Sequence, residues 1–304
     1  MKTAFLYDPI YLKHDPGPWH PESPERLNAV RRGAKPLRER LTLLPPIRAS
    51  DTILSLVHPP SHIERIRMAS QAEEAIDADT LCSAGSFDAA SMAAGAGVAA
   101  VDAVASGVVE GAFCAVRPPG HHATVDEAMG FCLLNNIAIA ARYAQRKGFG
   151  RIAIVDFDVH HGNGTQEIFY EDGEVLYFST HQSPAYPGTG RREERGAKGG
   201  EGTTFNVPLP PGSGDEAILP CYEAELPRVL DLFSPDLLLV SAGYDLHRDD
   251  PLAQLNVTTE GVGGIVRAIL GSCDVPVVFM LEGGYDLRTL EACVFATLEA
   301  MLER

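Results

Sequence analysis

Residues 151–164 read RIAIVDFDVHHGNG, an apolar run that ends in two carboxylates and two imidazoles. Short apolar runs bounded by turn residues are typical of strands buried on both faces of a parallel sheet. Because alternate strand residues face the same side, Asp156, Asp158 and His160 are predicted to point together where the strand ends. Converging carboxylates repel one another unless a cation or protons compensate their charge. The stretch therefore predicts a divalent metal site suited to zinc, with a metal-free carboxylate–histidine network as the alternative.

The same pattern recurs in four further apolar runs, which alternate with candidate helices. Each run leads into a Gly- or Pro-rich turn that carries His, Asp or Tyr. In an open parallel sheet such turns lie along one edge, where ligands bind. The pattern predicts an α/β fold with helices on both faces of the sheet. The runs are 112–116 before RPPGHH, 175–179 before THQSPAYPGTG, 237–241 before AGYDLH and 275–281 before EGGYD, and the candidate helices are 88–106, 133–147, 215–232, 258–270 and 286–302.

The composition bounds the class of protein. A chain of 304 residues without internal repeats or a convincing linker is interpreted as a single domain spanning 1–304. A net charge of −16 argues against direct nucleic-acid binding. Six scattered cysteines and no visible signal peptide favour a cytoplasmic protein. The Ala-rich run 89–109 is predicted to be a buried helix, not a membrane span, because it contains Asp102 and lacks basic flanks. No GxSxG or GxxxxGK[ST] motif occurs, which argues against a serine hydrolase and a nucleotide cradle.

A catalytic zinc ion usually has three protein ligands and an open position for water. Asp158 and His160 supply two, and Asp245, just past a separate strand, is the natural third. The adjacent His121 and His122 follow another strand and are placed to act as general base and general acid on a metal-activated water.

Each histidine of that pair needs an orienting partner, and Asp156 and Asn163 are the polar groups not yet assigned. Tyr285 follows two glycines that let the backbone bend, and its phenol is a candidate donor to an oxyanion. A tyrosine that only packs is the alternative for this position.

These motifs together resemble the histone deacetylase superfamily, within the wider arginase/deacetylase fold. The forms RPPGHH, HHGNG and LEGGY are similar to the class II branch and its bacterial relatives, the histone deacetylase-like amidohydrolases. The resemblance extends through nearly the whole chain and implies an open eight-stranded parallel sheet flanked by helices. The matching segments are HPESPERL (20–27), RPPGHHA (117–123), GFCLLNN (130–136), DFDVHHGNGTQEIF (156–169), SAGYD (241–245), DPLA (250–253) and LEGGYDL (281–287).

The resemblance also implies roles for individual residues. It assigns zinc to Asp158, His160 and Asp245, places Asp156 behind His121 and Asn163 behind His122, and makes Tyr285 the residue that polarises the acyl carbonyl. It further implies a potassium ion held by Asp156, Asp158, His160, Ser179 and Thr180, partly through backbone carbonyls. Expected substrate contacts are Gly130, Phe131 and Tyr186 along an acyl-lysine channel, with Asp79 as the rim acid.

Substrate choice depends on one position. Polyamine-specific relatives have a glutamate seven residues after the third zinc ligand, and this chain has Leu252 there. The difference favours an acyl-lysine peptide or another acylated primary amine over an acetylpolyamine or small metabolite. Two further alternatives are an arginase-type ureohydrolase with two manganese ions and a non-catalytic acyl-lysine binder. No membrane partner is expected, and homo-oligomer formation is left open.

Overall fold

The computed structural model describes all 304 residues, which form one eight-stranded sheet in the order β2-β1-β3-β8-β7-β4-β5-β6. Every pair of neighbouring strands is parallel. This confirms the predicted α/β class and the eight strands that the family resemblance implies. The strands are β1 Thr3–Leu6, β2 Thr42–Leu44, β3 Gly111–Cys114, β4 Ile152–Asp156, β5 Val175–Gln182, β6 Thr204–Leu209, β7 Leu237–Ala242 and β8 Val277–Leu281.

Helices connect the strands and flank the sheet. The helix predicted over 215–232 is divided into α7 and α8 by a π-helical turn, because Pro220 and Pro227 cannot donate backbone hydrogen bonds. The helices are α1 Glu25–Ala34, α2 Asp51–Leu54, α3 Pro60–Ala72, α4 Ser86–Ala105, α5 Asn136–Arg146, α6 Asn163–Phe169, α7 Asp215–Pro220, α8 Leu226–Phe233, α9 Thr259–Gly271 and α10 Leu287–Glu303.

The Ala-rich run forms α4, a helix packed inside the fold as predicted. By length and composition alone it could cross a membrane, but 78% of its most apolar window is buried within the fold. Gly95 leaves no room for a Cβ because the backbone of Ile47 and Ala49 lies against it. A small residue at position 95 thus allows α4 to approach the segment 47–49 closely.

A buried ion network fastens the N-terminal segment to the carboxyl edge of the sheet. The Glu22 carboxylate accepts hydrogen bonds from Arg117 Nε at 2.5 Å and from Arg26 Nη1 at 3.0 Å, and all three side chains are fully buried. Arg117 also donates to the carbonyl oxygens of Tyr11 and His14. Two guanidinium groups therefore depend on one carboxylate for charge compensation.

Replacing Glu22 by glutamine is expected to lower the free energy of unfolding at pH 7 by about 3 kcal/mol, because it leaves buried guanidinium charge uncompensated. Burial favours the neutral carboxyl, but the Arg117 guanidinium holds the pKa of Glu22 well below its ordinary 4.5. The stabilising contribution is therefore present above pH 4.5 and is lost as the pH falls below it. Urea unfolding of wild type and variant at pH 7 and pH 3.5 measures both effects. A difference in stability that stays constant between the two pH values would contradict this explanation.

Candidate active site

The turn after β4 brings Asp158 and His160 to the carboxyl edge of the sheet. Strand alternation, the predicted cause of their convergence, is wrong, because β4 ends at Asp156. Instead, Asp158 N donates to Asp156 Oδ1 at 3.1 Å and His160 N donates to Asp158 Oδ1 at 2.9 Å. Aspartate side chains favour such hydrogen bonds to the backbone two residues on. The spacing of two thus comes from successive aspartate-capped turns.

Asp158, His160 and Asp245 form one cluster, as predicted. Their ligand atoms lie within 4.8 Å of one another. His160 Nδ1 lies 3.2 Å from Asp158 Oδ1 and 3.2 Å from Asp245 Oδ2. Asp245 Oδ2 is buried and makes no hydrogen bond of acceptable geometry, so its charge needs a cation, either a protonated His160 or a metal ion. Two carboxylates and one imidazole that converge in this way fit a divalent metal such as zinc.

Backbone groups and glycines hold these ligands in place. Val159 N donates to Asp245 Oδ1 at 3.0 Å, and Gly283 N donates to Asp158 Oδ2 at 2.8 Å. A Cβ at Gly243 or Gly283 would collide with the ligand carboxylates, so both positions require glycine for close approach. Burial opposes charge on His160, but Asp158 and Asp245 raise its pKa to about 10. Without metal, a proton on His160 therefore compensates the carboxylates.

The tandem histidines have the predicted partners. His121 Nδ1 donates to Asp156 Oδ2 at 3.0 Å, and His122 Nδ1 lies 2.8 Å from Asn163 Oδ1. An amide oxygen is an acceptor only, so the proton of neutral His122 is on Nδ1 and Nε2 keeps a free lone pair. The two rings lie 4.1 Å apart between centroids.

The two imidazoles differ in charge because their surroundings differ. Burial disfavours charge on His121, but Asp156 and Asp158 raise its pKa to about 10. Burial, together with the neighbouring His121 and His160, lowers the pKa of His122 well below its ordinary range. In the metal-free chain these surroundings favour a protonated His121 and a neutral His122 at pH 7.

Tyr285 stands on a bent backbone segment held from two sides. Asp250 Oδ2 accepts a hydrogen bond from Tyr285 N at 2.6 Å, and Arg26 Nε donates to Gly284 O at 2.7 Å. The Arg26 guanidinium lies 4.8 Å from the centroid of the Tyr285 ring. Burial raises the pKa of Tyr285 well above its ordinary value, so its hydroxyl stays protonated and can donate a hydrogen bond.

The residues expected to contact substrate lie beside this centre. The Tyr186 ring is edge-on to His122, with centroids 5.1 Å apart, and a Cβ at Gly130 would press on both rings. The Phe131 ring is edge-on to Tyr285 at 5.9 Å. Two aromatic side chains thus flank the approach to His122 and Tyr285.

The remaining two substrate positions lie further out. Thr80 Oγ1 donates to Asp79 Oδ1 at 3.0 Å and accepts from Phe131 N at 3.3 Å, which ties the acid to the aromatic residue. Leu252 is 39% exposed and its N–H donates to Asp250 Oδ1. Both positions are therefore partly open to a molecule that approaches from solvent.

Ser179 and Thr180, expected to help bind potassium, both lie inside β5, although the strand was predicted to end at residue 179. The strand continues to Gln182 because it pairs with β6, which the sequence pattern missed. Ser179 Oγ pairs with His181 Nδ1 at 2.9 Å, and Thr180 Oγ1 pairs with the Tyr222 hydroxyl at 2.6 Å. Each hydroxyl has one protein partner and keeps a lone pair, so side-chain or backbone oxygens could contact an ion here. The potassium site stays a prediction.

Sequence reasoning missed Glu282 as a residue that positions the histidine pair. Its buried carboxylate accepts hydrogen bonds from Gly120 N at 2.6 Å, His121 N at 3.2 Å and Ser241 Oγ at 3.0 Å. Burial raises the pKa of Glu282 to about 7. The signal was present, since the acid in LEGGYDL lies at the carboxyl end of a buried strand, where Asp156 also lies.

Comparisons with known proteins match this chain to histone deacetylase domains and their relatives. The model of the histone deacetylase domain matches residues 20–301. A probable deacetylase of Archaeoglobus fulgidus is 43% identical over 296 residues, covering 95% of this chain and 82% of the relative. A histone deacetylase-like amidohydrolase of Pseudomonas aeruginosa is 35% identical over 326 residues, covering 99% of this chain and 86% of the relative.

Two solved structures share the fold over nearly the whole chain. A crystal structure of the HDA15 HD domain matches with a TM-score of 0.95 at 38% identity, covering 100% of this chain and 88% of that one. An acetylpolyamine aminohydrolase from Burkholderia pseudomallei matches with a TM-score of 0.90 at 31% identity, covering 99% and 98%. The arrangement of strands and helices is thus shared with proteins of both descriptions.

Proposed function

Because this chain belongs to the histone deacetylase family, we propose that it is a zinc-dependent deacetylase that hydrolyses the amide of an acetylated, or shortly acylated, primary amine. The observation that carries the proposal is one cluster of complementary groups. A buried oxygen of Asp245 that makes no hydrogen bond marks a cation site, the neutral imidazole of His122 lies beside His160, and the protonated phenol of Tyr285 packs against Phe131. A general base and an oxyanion donor next to a cation are what amide hydrolysis requires.

The chain's own residues supply the proton transfers. His122 Nε2 accepts a proton from water as the water oxygen bonds to the acyl carbon. The Tyr285 hydroxyl donates to the oxyanion that develops on the acyl oxygen. The carbon–nitrogen bond then breaks while the histidine pair returns a proton to the amine, which gives a carboxylate and an amine. Held by Asp158, His160 and Asp245, zinc would supply Lewis acidity toward the acyl oxygen and water.

Lysine side chains in peptides are the proposed acyl carriers. Leu252 is apolar and partly exposed, so no carboxylate stands at this position to attract a second amine. An acetylpolyamine is the second candidate, because the likeness to an acetylpolyamine aminohydrolase extends over 99% of the chain.

A substrate panel tests the proposal. We expect turnover of acetyl-lysine peptides that a zinc chelator abolishes and added zinc restores. Longer acyl-lysines, acetylated polyamines and small acetylated metabolites, assayed in parallel, rank the substrate classes. No release of carboxylate from any member of the panel by a chain with zinc bound would sink the proposal and favour a non-catalytic acyl-lysine binder.

Replacing Leu252 by glutamate is expected to raise kcat/KM for an acetylated polyamine, relative to an acetyl-lysine peptide, by about 1.4- to 5-fold. The size follows from an exposed charge pair, worth about 0.2–1 kcal/mol. Leu252→Gln is the matched control, because it adds a polar group of the same size without charge. Steady-state kinetics with both substrates at low ionic strength measures the ratio. If glutamine and glutamate changed the ratio equally, charge at this position would not select the substrate.

A further inference from the structure

A second cleft, of about 900 Å³, lies outside the candidate active site. It is bounded by α1, by the 3-10 turn Lys35–Arg40 that follows it, and by the ends of β1 and β2. These strands form one side of the sheet, whereas the metal ligands follow β4 and β7. Carboxyl ends of parallel strands are where ligands bind in such sheets, and the volume is within the range of small-molecule sites.

One wall of this cleft is cationic in a strongly acidic chain. It carries Arg31, Arg32, Lys35 and Arg38, against a single acid, Glu25. The chain as a whole has a net charge of −16. The local charge thus has the opposite sign to that of the whole chain.

Three of these cations are available to a ligand. Arg32 is engaged, since its Nε donates to Glu291 at 2.6 Å. Arg31, Lys35 and Arg38 are exposed and make no salt bridge. The Arg31 guanidinium lies 4.9 Å from the centroid of the Tyr7 ring, which restricts its position.

Balancing the dipole of α1 does not explain this wall. Arg31 and Arg32 lie in the last turn of the helix, where cations are favourable. Lys35 and Arg38 lie beyond the end of the helix, yet they line the same cleft. The helix end therefore accounts for only two of the four cations, whereas all four line the cleft.

The lining of the cleft also has an apolar part. Phe5, Leu41, Leu43 and Leu44 form it, and Leu43 is 51% exposed on the edge strand β2. Apolar residues and unpaired cations in one cleft suit a molecule with an anionic group and an apolar body.

We propose that this cleft binds a small amphipathic organic anion, with its anionic group on Arg31, Lys35 and Arg38 and its apolar body on Leu43. The proposal is independent of the deacetylase chemistry, because none of its residues belongs to the cluster around Asp245. Three unpaired cations favour a carboxylate, sulfonate or phosphate ester over a neutral ligand.

Binding of 1-anilinonaphthalene-8-sulfonate to the full zinc-loaded chain tests this proposal. We expect saturable binding by fluorescence, weakened at least about tenfold in the charge-reversal double variant Arg31→Glu/Arg38→Glu, the equivalent of about 1.4 kcal/mol. Arg146→Glu/Arg228→Glu is the matched control, since both arginines are exposed helix residues without a salt bridge. Deacetylase turnover is expected to stay unchanged in both double variants, and a small fall in the thermal midpoint is expected in each, because Arg31 and Arg146 both lie in the last turn of a helix.

Competition identifies the natural anion and adds a second test. Displacement of the probe by dodecanoate indicates a carboxylate ligand, and displacement by ATP indicates a phosphate ester; either supports the proposal. Equal affinity in wild type and the Arg31/Arg38 variant, or equal weakening in the control pair, overturns it. Displacement by an acetyl-lysine peptide does so too, because the probe would then occupy the active site. If the chain turned over no substrate but still bound the probe, the proposed deacetylase function would be disproved and the anion site would stand.

Discussion

Replacing Asp245 by alanine is expected to abolish zinc retention and to lower kcat/KM for an acetyl-lysine peptide by at least about 10³-fold. A bound metal is worth several kcal/mol of transition-state stabilisation, and about 1.4 kcal/mol corresponds to a factor of ten in rate. The variant removes a buried oxygen that makes no hydrogen bond. It also removes one of the two carboxylates that face His160 Nδ1.

Metal content and turnover of the same preparation measure this effect, and a thermal melt shows whether the variant is folded. Asp249→Ala is the matched control, because Asp249 is an exposed aspartate close by in the chain, outside the cluster. We expect it to keep its zinc and its activity. An Asp245→Ala variant that kept both would remove Asp245 from the metal site.

Replacing Tyr285 by phenylalanine is expected to lower kcat by about 10²- to 10³-fold, the typical cost of losing one oxyanion donor. The ring contacts with Phe131 and Arg26 do not involve the hydroxyl, so KM and zinc content are expected to stay close to wild type. A fall in kcat with unchanged KM is the signature of an interaction made mainly in the transition state.

Steady-state kinetics and metal analysis separate this role from a packing role. Tyr143→Phe is the control, because that hydroxyl bonds to Asp102 on α4, away from the metal cluster. A near-normal kcat in Tyr285→Phe would show that the Tyr285 hydroxyl is not the donor to the oxyanion. A rise in KM with unchanged kcat would instead assign Tyr285 to substrate binding.

The residue pattern predicted the central strands of the sheet better than the strands at its two edges. The apolar runs of β3, β4, β5, β7 and β8 are buried on both faces, so their composition alone marks them. By contrast, β2 is a three-residue, partly exposed edge strand, and β6 contains Pro208 and Asn206. Such strands form because a neighbouring strand offers hydrogen bonds. That neighbour is known only from the tertiary structure, so the local sequence does not predict them.

The site was predictable where a polar residue lies at the end of a buried strand or in the turn that follows it. This holds for the histidine pair, for Asp156 and for Asp245, which the parallel sheet brings to one edge. The positioning contacts of Glu282, Asp250 and Arg26 were not predicted, because they join turns far apart in sequence. The aspartate-capped turns were also missed, since a spacing of two is typical of a strand as well.

Zinc titration of the metal-free chain tests the central claim most directly. The chain is stripped with a chelator, and hydrolysis of an acetyl-lysine peptide is followed as zinc is added in known amounts. We predict no turnover without metal and a rise to a plateau at one zinc per chain, because Asp158, His160 and Asp245 form a single ligand cluster. Full turnover of the stripped chain, or a plateau that requires two metal ions per chain, would contradict a mononuclear zinc deacetylase.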